Sequence, residues 1–203
     1  MASTTRYWKN TSWLASVPLG ALVLTLALLL SWPPPALAES SDPPFVIQNA
    51  KVMRVDDSYQ LSSVIDFDLN DTVLDALHNG VSLTIETQIR LYRERDWLWD
   101  KQVSSIDRRY RLRYFALSKL YLLTDLADDS KRSYLTLGAA LYNLGHFHTT
   151  LVERHDVLSG QPHYLRMRIF LDIESLPAPL RPLAYLSSRW RLTSKWYQWT
   201  LQL

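Results

Sequence analysis

The chain has 203 residues, with 22 Lys and Arg against 20 Asp and Glu, and no Cys. Two of the basic residues, Arg6 and Lys9, fall in the first 38, so the remaining 165 carry a formal charge of zero and no global drive toward nucleic acid. The absence of Cys excludes thiol catalysis, iron–sulfur clusters and thiolate zinc sites, and with five Gly in all there is no glycine-rich phosphate loop.

Residues 1–38 read as a secretory signal segment. Arg6 and Lys9 give a positive start, and Trp13 to Trp32 is uncharged. Pro33-Pro34-Pro35 breaks any helix, and Ala36-Leu37-Ala38 has the small-x-small pattern that signal peptidases cut after. Residues 13–32 are also long enough to span a bilayer at about 1.5 Å per residue, so an uncleaved inner-membrane anchor is the alternative. Positive charge before the stretch and acidic residues after it place residues 39–203 outside the cytoplasm in either case, as one periplasmic domain.

Strand patterns dominate that domain. Phe45 to Val55 is rich in branched residues, and Asp56-Asp57-Ser58 reads as a hairpin turn. Tyr59 to Leu69 puts Leu61, Ile65, Phe67 and Leu69 on one face at period two. Asn70 is a good N-cap for a short helix over Asp71–His78, which Asn79-Gly80 ends. From Val81 to Leu91, apolar positions oppose Ser82, Thr84, Glu86, Gln88 and Arg90. Asp96 to Asp100 reads as a turn capped by Trp97 and Trp99. Lys101 to Tyr114 alternates again, and Leu117 to Leu123 is an apolar run.

Asp125 to Ser133 reads as a charged loop. Leu137, Ala140, Leu141 and Leu144 have helical spacing closed by Gly145. A strand from His146 to Val152 and a polar loop to Pro162 follow. Tyr164 to Ile173 then sets apolar residues opposite Arg166, Arg168 and Asp172. Leu176 to Pro182 is Pro-rich and reads as irregular, and Arg189 to Leu203 as aromatic and extended. About eight strands and two short helices predict a mainly β domain, an antiparallel β-sandwich.

Several stretches together resemble one bacterial family. They are Gly80-Val81-Ser82-Leu83 leading to Leu91-Tyr92-Arg93-Glu94-Arg95; Arg109-Tyr110-Arg111-Leu112-Arg113-Tyr114 with Ala116-Leu117; Leu171-Asp172 with Leu176-Pro177-Ala178-Pro179-Leu180; and Trp190-Arg191-Leu192 with Ser194 and Trp196. In order and spacing they resemble the family known as domain of unknown function 4390, over nearly all of residues 39–203. The resemblance implies an exported bacterial protein, loosely associated with genes for a membrane sensor kinase and its response regulator. It implies no known activity and supplies no catalytic residues.

Three constellations are candidates for function. Arg109, Arg111 and Arg113 share one face, as do Arg166 and Arg168, with Arg90 on the polar face of its own strand. On neighbouring strands they would make a guanidinium-lined surface for a phosphate, a lipid head group or an acidic glycan. The competing expectation is cross-strand pairing with Glu86, Glu94, Asp107 and Asp172. Trp190, Trp196 and Trp199, with Tyr197, suit a stacking platform, but such a cluster more often closes the end of a core and anchors a terminus. Four of the five His fall within 18 residues, at 146, 148, 155 and 163, with Glu153 and Asp156 between. Of these, His146 and His148 share a strand face, but the spacing matches no established metal-ligand motif.

Asp66 with Asp68 and Asp128 with Asp129 are carboxylate pairs, and nothing places either in a cleft. No nucleophile elbow is present. The function expected is therefore non-catalytic, without a cofactor: an accessory domain binding an envelope or membrane protein, with a link to envelope sensing. The alternative is a binder of an anionic small ligand or glycan through the Arg face, and an envelope hydrolase comes third.

Overall fold

The computed structural model describes residues 43–97, 99–153 and 161–201. The expectations for residues 1–38 lie outside them. Nine strands form two antiparallel sheets among the described residues. The smaller has the order β1 (Phe45–Val55), β2 (Ser58–Phe67), β7 (Phe147–Glu153). The larger runs β6 (Lys131–Tyr134), β5 (Leu120–Asp125), β4 (Lys101–Phe115), β3 (Leu83–Arg93), β8 (His163–Leu171), β9 (Tyr197–Leu201).

Both sheets contribute to one hydrophobic core, so the fold is the mainly β, two-sheet arrangement that the alternation predicts. The larger sheet supplies Leu83, Ile85, Ile89, Leu112, Leu165, Met167 and Ile169, and the smaller supplies Phe45, Leu61 and Ile65. Successive ones sharing a strand are two or four residues apart, because adjacent side chains point to opposite faces. The outer face of the larger sheet therefore carries the intervening residues, which are mostly polar, with Leu122 and Phe170 among them.

Helix α1 (Asp71–His78) starts where Asn70 predicts, with its side chain accepting from the Val73 amide. It ends at Gly80, whose φ of 85° only glycine adopts without strain. The Val81 amide donates back to Ala76 and the Gly80 amide to Leu77, which closes the last turn. Helix α2 (Leu137–Gly145) packs on β2, β5 and β6 and buries Ala140 and Leu144. Gly145 does more than end it. A Cβ there would overlap the carbonyl oxygen of Ile65 on β2, so glycine is what lets the helix touch the strand.

Four local expectations change. The charged loop after Asp125 is a tight turn followed by β6: Asp125 N–H donates to Ser130 and Asp129 takes a φ of 55°, which folds the chain back to pair with β5. The Pro-rich stretch gives way at Arg181 to a third helix, α3 (Arg181–Leu186). Pro182 lies in its first turn, where no intrahelical N–H is required. Arg189 and Trp190 belong to a 3-10 turn (Ser188–Trp190), and only Tyr197–Leu201 is a strand. At the β3–β4 tip, Trp97 and Trp99 cap nothing: they are 95% and 92% exposed.

Candidate functional site

Along β4, Leu112 is buried and Tyr110 and Tyr114 are half-buried against the core, while Arg109, Arg111 and Arg113 are exposed on the outer face. Antiparallel register carries the row across the sheet. Arg111 lies beside Thr84 of β3 and Thr124 of β5, and Thr124 beside Lys131 of β6. Arg113 lies beside Leu122.

Here the outer face is not flat. The chain leaving β8 makes a 3-10 turn (Ile173–Ser175), and Ser175, Leu176 and Pro177 form one wall of a cleft of about 530 Å³. The β5–β6 turn, with Asp129 and Lys131, forms the other wall. Arg111, Arg113, Leu122 and Thr124 line it from the strands, and Arg181 and Ser82 complete it. Arg181 is held by donating from Nε to the Leu176 carbonyl at 2.8 Å, and its terminal nitrogens make no hydrogen bond or ion pair with any described residue.

Four cations thus meet one carboxylate, Asp129, which Lys131 already contacts at 3.0 Å. The Arg111 guanidinium makes no hydrogen bond or ion pair with any described residue. That of Arg113 lies over the Phe115 ring at 4.9 Å.

The expected cross-strand pairing forms at one place on this face, while Glu86 and Asp172 are engaged locally. Asp107 pairs with Arg90 at 2.7 Å. Glu86 is in register with Arg109 but accepts from Gln88 at 3.0 Å. Asp172 accepts from the Glu174 amide at 3.0 Å and from the Ser175 hydroxyl, which fixes the 3-10 turn. Arg90 is spent on Asp107 and on the Ile106 carbonyl, so it is a structural part of the face rather than a free cation.

The second Arg pair lies two strands away, on β8. Arg166 and Arg168 bracket the exposed Trp196 ring at 4.9 Å and 5.8 Å, and Arg168 Nε donates to Thr193 at 3.1 Å. Beyond Arg166, Tyr164 stacks on Tyr92. Its hydroxyl is pushed up to about 12, by desolvation first and then by donating to Asp100.

The aromatic constellation does not assemble as a platform. Trp190 is only 6% exposed and sits in the core, so it is withdrawn as a binding residue. Trp199 is in register with core-facing Leu165 and packs half-buried against the core, on the opposite side of the sheet from the arginines. Trp196 alone remains on the Arg-bearing face.

The His constellation divides as well. His163 is fully buried on β8, with Nδ1 on the Gln161 carbonyl. His155 and Asp156 lie outside the described residues, as does the Glu153 side chain. Among the described residues no three His, Asp or Glu gather to hold a metal. His146 and His148 instead line a smaller cleft of about 320 Å³ between β5 and the start of β7. His146 Nδ1 lies 2.8 Å from the Tyr142 carbonyl, and its ring stacks on Tyr142.

That smaller cleft also holds Arg108, which points the same way as Tyr110 and Leu112 and pairs with Asp125 at 2.8 Å. Burial disfavours the Arg108 charge, but Tyr110 and Asp125 outweigh it and hold its pKa above the usual value. Its net charge is nearer balance than that of the outer cleft, because Asp125 and Asp128 face Arg108 and Arg132. Of the carboxylate pairs, Asp66 accepts from Gln48 and Asp128 from the Ser130 amide, and Asp128 lines the smaller cleft while Asp129 lines the outer one.

Sequence reasoning missed Lys131, Arg181 and Arg108. Arg108 was readable, because position 108 has the inward parity of 110 and 112. Lys131 and Arg181 enter through a turn and a Pro-initiated helix, which carry no period-two signal.

The chain matches the model of the family described as Domain of unknown function (DUF4390) over residues 42–200, most of its length, and belongs to that family. No curated protein and no solved structure matches it.

Proposed function

We propose that the chain is an exported, non-catalytic recognition domain that binds an anionic ligand through the outer face of its larger sheet. The observation that carries this reading is the outer cleft, which Arg111, Arg113, Lys131 and Arg181 line together with one carboxylate, Asp129. Like charges set side by side on a sheet repel and cost stability. On a domain with no net charge, such a cluster is best accounted for by a counter-charge supplied from outside. Export is supported by residues 1–38, and the non-catalytic role by the lack of a nucleophile or acid–base constellation in the sequence.

The test is elution from a polyanionic resin. Arg111→Ala with Arg113→Ala is expected to lower the eluting salt concentration clearly. Lys51→Ala with Arg54→Ala removes the same charge from exposed positions on β1 and is expected to change it little. Equal effects from the two pairs would show that only total charge matters and would refute the reading.

A second reading, docking of an envelope protein, is favoured by one observation. Trp97 and Trp99 stand almost fully exposed at the β3–β4 tip, and exposed aromatic anchors are typical of protein interfaces. On this reading, Trp97→Ala with Trp99→Ala loses an envelope protein that the wild-type domain captures. Unchanged capture argues against it.

A further inference from the structure

We propose that the outer cleft selects a phosphomonoester dianion, an inference that rests on the anion-binding function proposed above. The charge count sets the preference. Asp129 offsets one of the four cations, leaving a formal excess of three around a single cleft. A carboxylate, a sulfate ester or a phosphodiester brings one negative charge. A phosphomonoester brings about two at neutral pH and three strong acceptor oxygens.

The donor set suits those oxygens. Among the described residues Arg111 has no hydrogen-bond or ion-pair partner, and Arg181 has none at its terminal nitrogens while its Nε is tethered to Leu176. Guanidinium forks of this kind match phosphate oxygens in paired hydrogen bonds. Thr124, in register between Arg111 and Lys131, lines the same cleft with a hydroxyl-bearing side chain. The cleft is open to the outer face, so the phosphate is terminal on its carrier and the rest of the ligand extends into solvent or along the sheet. The same chemistry is offered by a free phosphorylated metabolite and by a lipid with a phosphomonoester head group.

Calorimetric titration of the folded domain tests this with glycerol 3-phosphate, dimethyl phosphate and inorganic sulfate. Glycerol 3-phosphate is expected to bind about tenfold more tightly than dimethyl phosphate, which has the same tetrahedral centre and one charge fewer. No His lines this cleft. Lowering the pH from about 7.5 to about 5 is therefore expected to weaken glycerol 3-phosphate roughly tenfold, as its second proton is taken up near pH 6, while sulfate changes little. Arg111→Ala is expected to weaken glycerol 3-phosphate and narrow the preference with thermal unfolding unchanged, and Arg181→Ala to do the same with a small loss of thermal stability from the lost tether to Leu176.

Sedimentation with phosphatidic acid vesicles against phosphatidylglycerol vesicles distinguishes the sources. Selective retention on phosphatidic acid assigns a lipid head group, and soluble binding without retention assigns a free phosphate ester. Equal affinity for the mono- and dianionic probes overturns the phosphomonoester assignment but leaves anion binding standing. No binding of any of the three overturns both.

Discussion

Leu112→Asp is expected to leave no soluble folded domain. Leu112 is 0% exposed, on the strand whose opposite face carries the arginines. Removing a buried leucine side chain costs about 2–5 kcal/mol. Holding an unpaired carboxylate in its place adds several kcal/mol more, which together match the roughly 5–15 kcal/mol that stabilises a typical domain. Arg111→Ala, one residue away, removes a side chain on the other face and is expected to cost under about 0.5 kcal/mol. Soluble yield and thermal unfolding of the two variants measure the contrast. Soluble, cooperatively folded Leu112→Asp protein would mean that β4 is turned over or unpaired, and the face assignment would fail with it.

Gly145→Ala is expected to be the most damaging single-methyl change in the domain. The added Cβ meets the Ile65 backbone carbonyl, with the Phe67 ring beside it, and neither is the free end of a flexible chain. Helix α2 must move away from β2, which loosens the packing of Ala140 and Leu144. Overpacking of this kind costs about 1–3 kcal/mol, and a backbone clash lies at the upper end. For a domain of this size that lowers the melting temperature by roughly 5–10 °C. Gly138→Ala, in the same helix with open space around its Cβ, serves as the control and is expected to be neutral or mildly stabilising. Equal melting temperatures for the two variants would disprove the close approach.

Much of the fold was legible because it rests on period two. Along β3, β4 and β8 the core and solvent faces follow directly from alternation, and the burial of Leu83, Leu112 and Met167 confirms them residue by residue. The caps of α1 were legible because Asn70 and Gly80 have specific backbone chemistry. Beyond those signals, long-range geometry decides. Alternation places Arg111 outward, but only the register of three strands sets it in line with Lys131, and only the path after β8 brings Arg181 over the same cleft. Trp190 and Trp196 are six residues apart with similar chemistry, yet one is core and the other surface. The turn and short helix before β9 decide that, and they have no periodic signature. Gly145 was read as a helix terminus because its neighbour on β2 is 80 residues away in sequence.

The most direct test of the recognition surface is a nitrogen-15 spectrum of the arginine Nε–Hε groups recorded while inorganic phosphate is titrated into the folded domain. Saturating shifts are predicted at Arg111, Arg113 and Arg181, with Arg54 and Arg90 unmoved, because Arg54 lies on β1 and Arg90 is already paired with Asp107. Shifts confined to Arg108 and Arg132 in the smaller cleft, or no saturable shift at any arginine, would contradict the assignment of the outer face as the binding site.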